Sequence, residues 1–137
     1  MPPPPLPPTI VEMLKQPNPA VMGTVRPDGA PVTVATWYLW DEPSEKIVVN
    51  MDGNRARLAH IRNDPRVSLT VLDADDWGTH VSVRGKMTLL DDPDLVVIDR
   101  IAQQYTGHVY GVRDRPRVTG WLEIENWHGW GRFGPSS

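Results

Sequence analysis

Cysteine is absent from all 137 residues, which removes a disulfide framework, a thiolate metal site and a cysteine nucleophile together. The absence fits a reducing compartment. Long apolar runs are missing as well. None approaches the ~20 residues that cross a bilayer, and the N-terminus lacks the charged-then-apolar pattern of a secretory signal. The expectation is a cytoplasmic protein that does not engage the membrane. Charge of one sign is not in excess either: 14 basic against 17 acidic residues leave a net charge of -3, so nothing draws the chain as a whole to nucleic acid. The four histidines, His60, His80, His108 and His128, fall on different predicted elements without an i,i+4 pair, which speaks against zinc or iron. Asp73, Asp75 and Asp76 lack the spaced ligands and terminal glutamate of a calcium loop. No Gly-x-Ser-x-Gly elbow supports a hydrolase.

What is present is proline and tryptophan. Six tryptophans stand against one phenylalanine, so much of the aromatic area is flat and carries an N–H donor, suited to a pocket or an interface as well as to a core. Of 15 prolines, six lie between Pro2 and Pro8. Residues 1–8 are expected to form an extended, partly disordered arm, followed by a single domain over 9–131 and a tail over 132–137.

The local patterns predict a β-rich chain with short helices. A helix is expected over Thr9–Lys15, with Thr9 as N-cap and Glu12 at the capping-box position. Strands over 20–26 and 30–40 flank the turn Pro27-Asp28-Gly29. A polar turn over 41–45 and a strand over 46–51 extend this pair to a three-stranded meander, which favours a barrel or sandwich over a βαβ unit. A helix is expected over 53–63, with Asn54 as N-cap, Leu58 and Ile61 on its apolar face and Asp64-Pro65 as its stop. Strands over 66–72 and 79–90 flank the acidic turn 73–76, with Gly85 as a bulge. The Asp91-Asp92-Pro93-Asp94 run starts a helix to about Tyr105, with Pro93 at the first helical position. A last strand spans 117–127. Trp37, Tyr38 and Trp40 alternate in facing, and a one-residue register shift exchanges their roles. Trp121, Trp127 and Trp130 close the barrel and cover a partner subunit, or else Trp127 or Trp130 lines a substrate side.

The chemistry concentrates in Asn50-Met51-Asp52-Gly53-Asn54-Arg55-Ala56-Arg57, where a strand end meets a helix whose first turn carries two arginines. Unpaired N–H groups at a helix N-terminus and the forked guanidinium both suit phosphate oxygens. A solvated basic helix face is the plainer alternative.

Four stretches, in this order, resemble the pyridoxamine-phosphate-oxidase-like split-barrel family, in particular its branch that uses the deazaflavin coenzyme F420. They are Gly23-Thr24-Val25-Arg26-Pro27-Asp28-Gly29-Ala30-Pro31, Asn54-Arg55-Ala56-Arg57, Arg62-Asn63-Asp64-Pro65-Arg66-Val67-Ser68-Leu69 and Asp73-Ala74-Asp75-Asp76-Trp77. The likeness runs from about Val21 to Gly85 and weakens toward the last strand. It implies a β-rich α+β fold, a split β-barrel of about six antiparallel strands with short flanking helices. It implies a cofactor phosphate on Arg55 and Arg57, a ring system beside Val34, Thr36 and Trp37, and Val49 and Met51 beneath it. Trp77 and Gly78 would border the site near a dimer interface, since family members place two sites between the subunits of a homodimer. The implied activity is hydride transfer from reduced F420 to an electron-poor small-molecule acceptor. An FMN-dependent oxidase or reductase, or a non-catalytic flavin-binding protein, remains as the alternative. Two departures matter. Glu125-Asn126-Trp127-His128-Gly129-Trp130-Gly131 replaces the arginine-and-histidine motif that binds vitamin B6, and Arg57 stands where the branch often carries lysine. The residues name no proton donor.

Overall fold

Seven strands form one antiparallel sheet in a computed structural model of the protein, which describes residues 1–134. Positions 135–137 of the expected tail lie outside the described residues. The elements are α1 (Pro8–Leu14), β1 (Ala20–Val25), β2 (Pro31–Thr36), β3 (Leu39–Asp41), β4 (Lys46–Asp52), α2 (Ala56–Asn63), β5 (Arg66–Leu72), β6 (His80–Asp91), α3 (Val96–Thr106), β7 (Arg117–Trp130) and a final 3-10 turn (Gly131–Phe133). Their spatial order is β2-β1-β5-β6-β7-β4-β3. Burial alternates along β1, β2, β5 and β6, as a half-buried strand requires, whereas β4 and the first part of β7 are buried on both faces. Met22, Leu69, Val71, Val81, Val83, Val49, Met51 and Leu122 meet in one core.

This order corrects the expected meander. The segment predicted as one strand over 30–40 divides at Trp37-Tyr38, and its halves lie at opposite edges of the strand order: β2 pairs with β1, and β3 with β4. The sheet curls so that two residues bridge its edges, which is how the barrel closes and why it is split. The bridge holds because its polar groups find partners outside the ladder. The Tyr38 carbonyl accepts from Gln104 Nε2 at 2.9 Å. The fully buried Tyr38 donates its hydroxyl to the Gln16 carbonyl at 2.8 Å.

The turn signals held. Gly29 takes φ 87° and donates to the Arg26 carbonyl at 2.8 Å. The ladder between β6 and β7 shifts register between Arg84 and Gly85. A Cβ at Gly85 would lie 1.7 Å from the Glu123 carbonyl oxygen, so only glycine lets the strands approach there.

The helix caps differ from expectation. Thr9 lies inside α1, because Pro8 takes the first turn, where its missing N–H costs nothing. Asn54 does not cap α2; Arg55 holds that position without a side-chain cap, since Asp52 Oδ1 takes the Asn54 N–H in a turn of its own. α3 begins at Val96 rather than at Pro93, because Leu95 sits left-handed at φ 59°. The acid of that run still caps it: Asp92 accepts the Val97 and Ile98 N–H groups at 3.2 and 2.9 Å.

The proline-rich arm lies on the barrel. Leu6 enters the core, and the Pro2 and Pro3 carbonyls accept the backbone and indole N–H groups of Trp127 at 3.0 and 3.2 Å. No helix among the described residues is long and apolar enough to cross a membrane.

Candidate functional site

β4 alternates in facing, and this sets the site. Ile47, Val49 and Met51 turn into the core. Asn50, one residue out of phase, lines a cleft of about 650 Å³ between the end of β2 and α3, a size typical of ligand pockets. One wall is aromatic: Trp37 and Tyr105 stack with centroids 5.1 Å apart and planes 6° from parallel. Tyr105 is anchored through its hydroxyl, which donates to the Asn18 carbonyl at 2.6 Å, and burial pushes its pKa up to about 12. Ile98 and Ile101 of α3 add apolar surface, while Asn50, Tyr110 and Arg117 make the opposite end polar.

Arg117 begins β7 and is only 8% exposed. Its Nε donates to Asn50 Oδ1 at 2.9 Å, and its guanidinium lies 4.7 Å from the centroid of the Tyr110 ring. The Asn50 amide is fixed in turn, donating to Asp92 Oδ2 at 3.1 Å and to Thr119 Oγ1 at 3.0 Å.

Beyond this end lies the start of α2. Arg57 is half-buried, and its Nε is buried without a hydrogen-bond partner among the described residues. Desolvation, then the charges of Arg55 and Arg117, hold its pKa below the ordinary arginine value. Arg66, Arg100, Arg113, Arg115 and Arg132 each pair with an aspartate. Among the described residues Arg55, Arg57 and Arg117 have no such carboxylate. Arg55 and Arg117 lie near Arg57, whose Nε is a buried unused donor, beside a helix N-terminus without a side-chain cap; such an arrangement suits an anion.

The structure brings together some of the anticipated site residues. Thr36 and Trp37 line the cleft, and Arg55 and Arg57 lie beyond its polar end. Val34 is partly buried against the core from β2. The Val49 and Met51 side chains lie inside the barrel, behind the strand rather than on the cleft side. Trp77, 75% exposed, and Gly78 belong to the β5–β6 turn and do not line the cleft of the same protomer. Sequence reasoning missed Tyr105, Tyr110, Arg117 and the role of Asn50. Asn50 carried a signal, as a polar residue in the otherwise apolar Ile47–Met51 run. Among the described residues, no cluster of three or more histidines and carboxylates could hold a metal.

An antiparallel split β-barrel with an aromatic-walled cleft beside a cluster of arginines places the chain in the class of small split-barrel proteins. The family profile of pyridoxamine 5'-phosphate oxidase matches residues 6–131, and the chain belongs to that family, which includes oxidoreductases. A solved structure named F420 reductase superposes with a TM-score of 0.81 at 25% identity, covering 90% of this chain and 98% of its own. A conserved hypothetical protein from Mycobacterium tuberculosis gives 0.71 at 22% identity, with 89% and 82% covered. General stress protein 26 from Bacillus anthracis gives 0.69 at 16% identity, with 88% and 90% covered; these last two show the fold alone. A comparison with proteins of curated function gives no match.

Proposed function

We propose that the protein is an F420-dependent oxidoreductase that reduces an electron-poor small molecule. The observation that carries this reading is the buried, unpartnered Nε of Arg57, set between Arg55 and Arg117 beside a flat-walled cleft. A ligand that is a planar ring joined to a phosphate matches both halves. Arg55 and Arg57 hold the phosphate, and Thr36 and Trp37 flank the ring, with Val34, Val49 and Met51 forming the strands behind it. When bound, the deazaflavin ring supplies hydride transfer; the chain orients the ring, excludes water and holds the anionic end. The likeness to the F420 reductase supports this cofactor.

FMN is the second reading, favoured by the family profile itself and by the same phosphate receptor. The exposed Trp77 and Gly78 support a homodimer in which the partner's β5–β6 turn completes each site. Titration of the protein with F420 and, separately, FMN, followed by tryptophan quenching, tests the reading. Micromolar or tighter F420 binding with weak FMN binding is expected. Preference for FMN moves the function to the second reading, and binding of neither removes both. Arg57→Ala is expected to weaken cofactor binding by about 1.5–3 kcal/mol, the range for a charged hydrogen bond.

A further inference from the structure

Arg117 is placed differently from the two arginines of α2. It lines the cleft itself, whereas Arg55 and Arg57 do not. It is held from behind by a chain of buried polar groups: Asp92 and Thr119 fix the Asn50 amide, and the Asn50 carboxamide oxygen takes the Arg117 Nε–H. All four residues are at least nine-tenths buried. Desolvating so many polar groups is costly unless each is satisfied. Each is, save for the outer edge of the guanidinium: among the described residues, neither Nη1 nor Nη2 of Arg117 donates a hydrogen bond, and the group lies over the Tyr110 face. A neutral amide, not a carboxylate, touches Nε; the Asp52 carboxylate, itself paired with Arg115, is near enough to feel the Arg117 charge and offsets part of it.

We infer that Arg117, positioned by Asn50, is a second cofactor-binding subsite that takes the electron-rich carbonyl edge of the ligand's ring, separate from the proposed phosphate site at Arg55 and Arg57. This inference rests on the proposed ring-and-phosphate ligand. The geometry favours the ring over the phosphate, because among the described residues lining the cleft Arg117 is the one charged side chain, and the other polar side chains are those of Thr36, Trp37, Asn50, Tyr105 and Tyr110. A flat body against Trp37 and Tyr105 therefore meets one strong donor, at one edge. Asn50 is a positioning residue here, and Arg117 a binding residue.

The test separates the two anchors by using ligands with and without phosphate. Riboflavin and FMN (or, where the chain prefers the deazaflavin, the phosphate-free deazaflavin chromophore and F420 in their places) are titrated into the wild type and into the Arg117→Met, Asn50→Ala and Arg57→Ala variants, following the ring's absorption band and tryptophan quenching. Circular dichroism checks each fold. Arg117→Met is expected to weaken riboflavin and FMN by the same factor, about tenfold or more, and to leave the ring's band closer to its position in water. Asn50→Ala, which removes the carboxamide oxygen that holds Nε, is expected to act likewise with the arginine still in place. Arg57→Ala is expected to weaken FMN alone. Loss of FMN binding with riboflavin unchanged in Arg117→Met makes Arg117 a third phosphate ligand and overturns the inference while leaving the cofactor reading intact. Absence of binding of any ring, F420 included, to the wild type overturns both.

Discussion

Trp37 and Tyr105 stack almost parallel, 5.1 Å between centroids, although one ends the bridge that closes the barrel and the other lies on α3. Trp37 remains 38% exposed, so one edge of the shelf is free for a ligand. Trp37→Ala is expected to weaken ring binding by about 0.5–1.5 kcal/mol, the usual worth of an aromatic pair. Flavin and deazaflavin titrations measure this, with the fold checked by circular dichroism; unchanged affinity would remove Trp37 from the site.

Tyr105→Phe keeps the ring and deletes the hydroxyl that donates to the Asn18 carbonyl. The expected cost is about 1–2 kcal/mol of stability, since that carbonyl belongs to a buried residue and loses its partner. Urea unfolding reads it directly, and affinity for the ring should stay within about a factor of two of wild type.

Arg57 supplies a contrast between binding and stability. Its half-buried charge has an unused donor and two arginines nearby. Arg57→Ala is therefore expected to leave the ligand-free protein at least as stable as wild type, gaining up to about 1 kcal/mol. A lower urea midpoint would mean that the fold, and not a ligand, uses this group.

Gly85→Ala places a methyl 1.7 Å from the Glu123 carbonyl oxygen and 2.8 Å from its carbon. Backbone must move on one of the two longest strands, and about 3 kcal/mol or more of stability is expected to go. Thermal unfolding tests this, and a midpoint within about 2 °C of wild type would contradict the bulge geometry.

The pH dependence has two limbs. Asp64 is held at about 2 by the Arg66 guanidinium and backbone N–H. Asp41, Asp73 and Asp99 are also lowered, chiefly by bonds from Ser44, the Asp75 N–H and Arg113 in turn. Carboxylates with depressed folded values stabilise above their unfolded value of about 3.9. That contribution is lost as pH falls from about 4 toward 2. Tyr105, raised to about 12 by burial, acts in the opposite sense. Its contribution is complete below the unfolded value of about 10 and disappears as pH rises from there to about 12. Urea midpoints across pH should therefore be flat between about 5 and 9 and fall on both sides. Asp64→Asn should flatten part of the acid limb, and Tyr105→Phe part of the alkaline one.

The local grammar of the chain fixed much of the architecture before any coordinates. Gly29 and Gly85 marked a turn and a bulge because each position excludes a side chain or demands a positive φ. Leu58 and Ile61 marked the buried face of α2, and Asp64-Pro65 its end, because spacing and proline act within a few residues. The Arg55 and Arg57 pair stood out for the same reason, as two charges on one helical turn. Tertiary structure alone decided the rest. The break at Trp37-Tyr38 depends on Gln104 and Gln16, residues of distant segments that satisfy the bridge's polar groups. Arg117 joins Asn50 across 67 positions of sequence, and no local pattern foretells which charge a closing barrel will bury. Nor does periodicity choose between Asn50 and its neighbours Val49 and Met51 for the cleft side. Alternation says that they face opposite ways; only the closed sheet says which way is in.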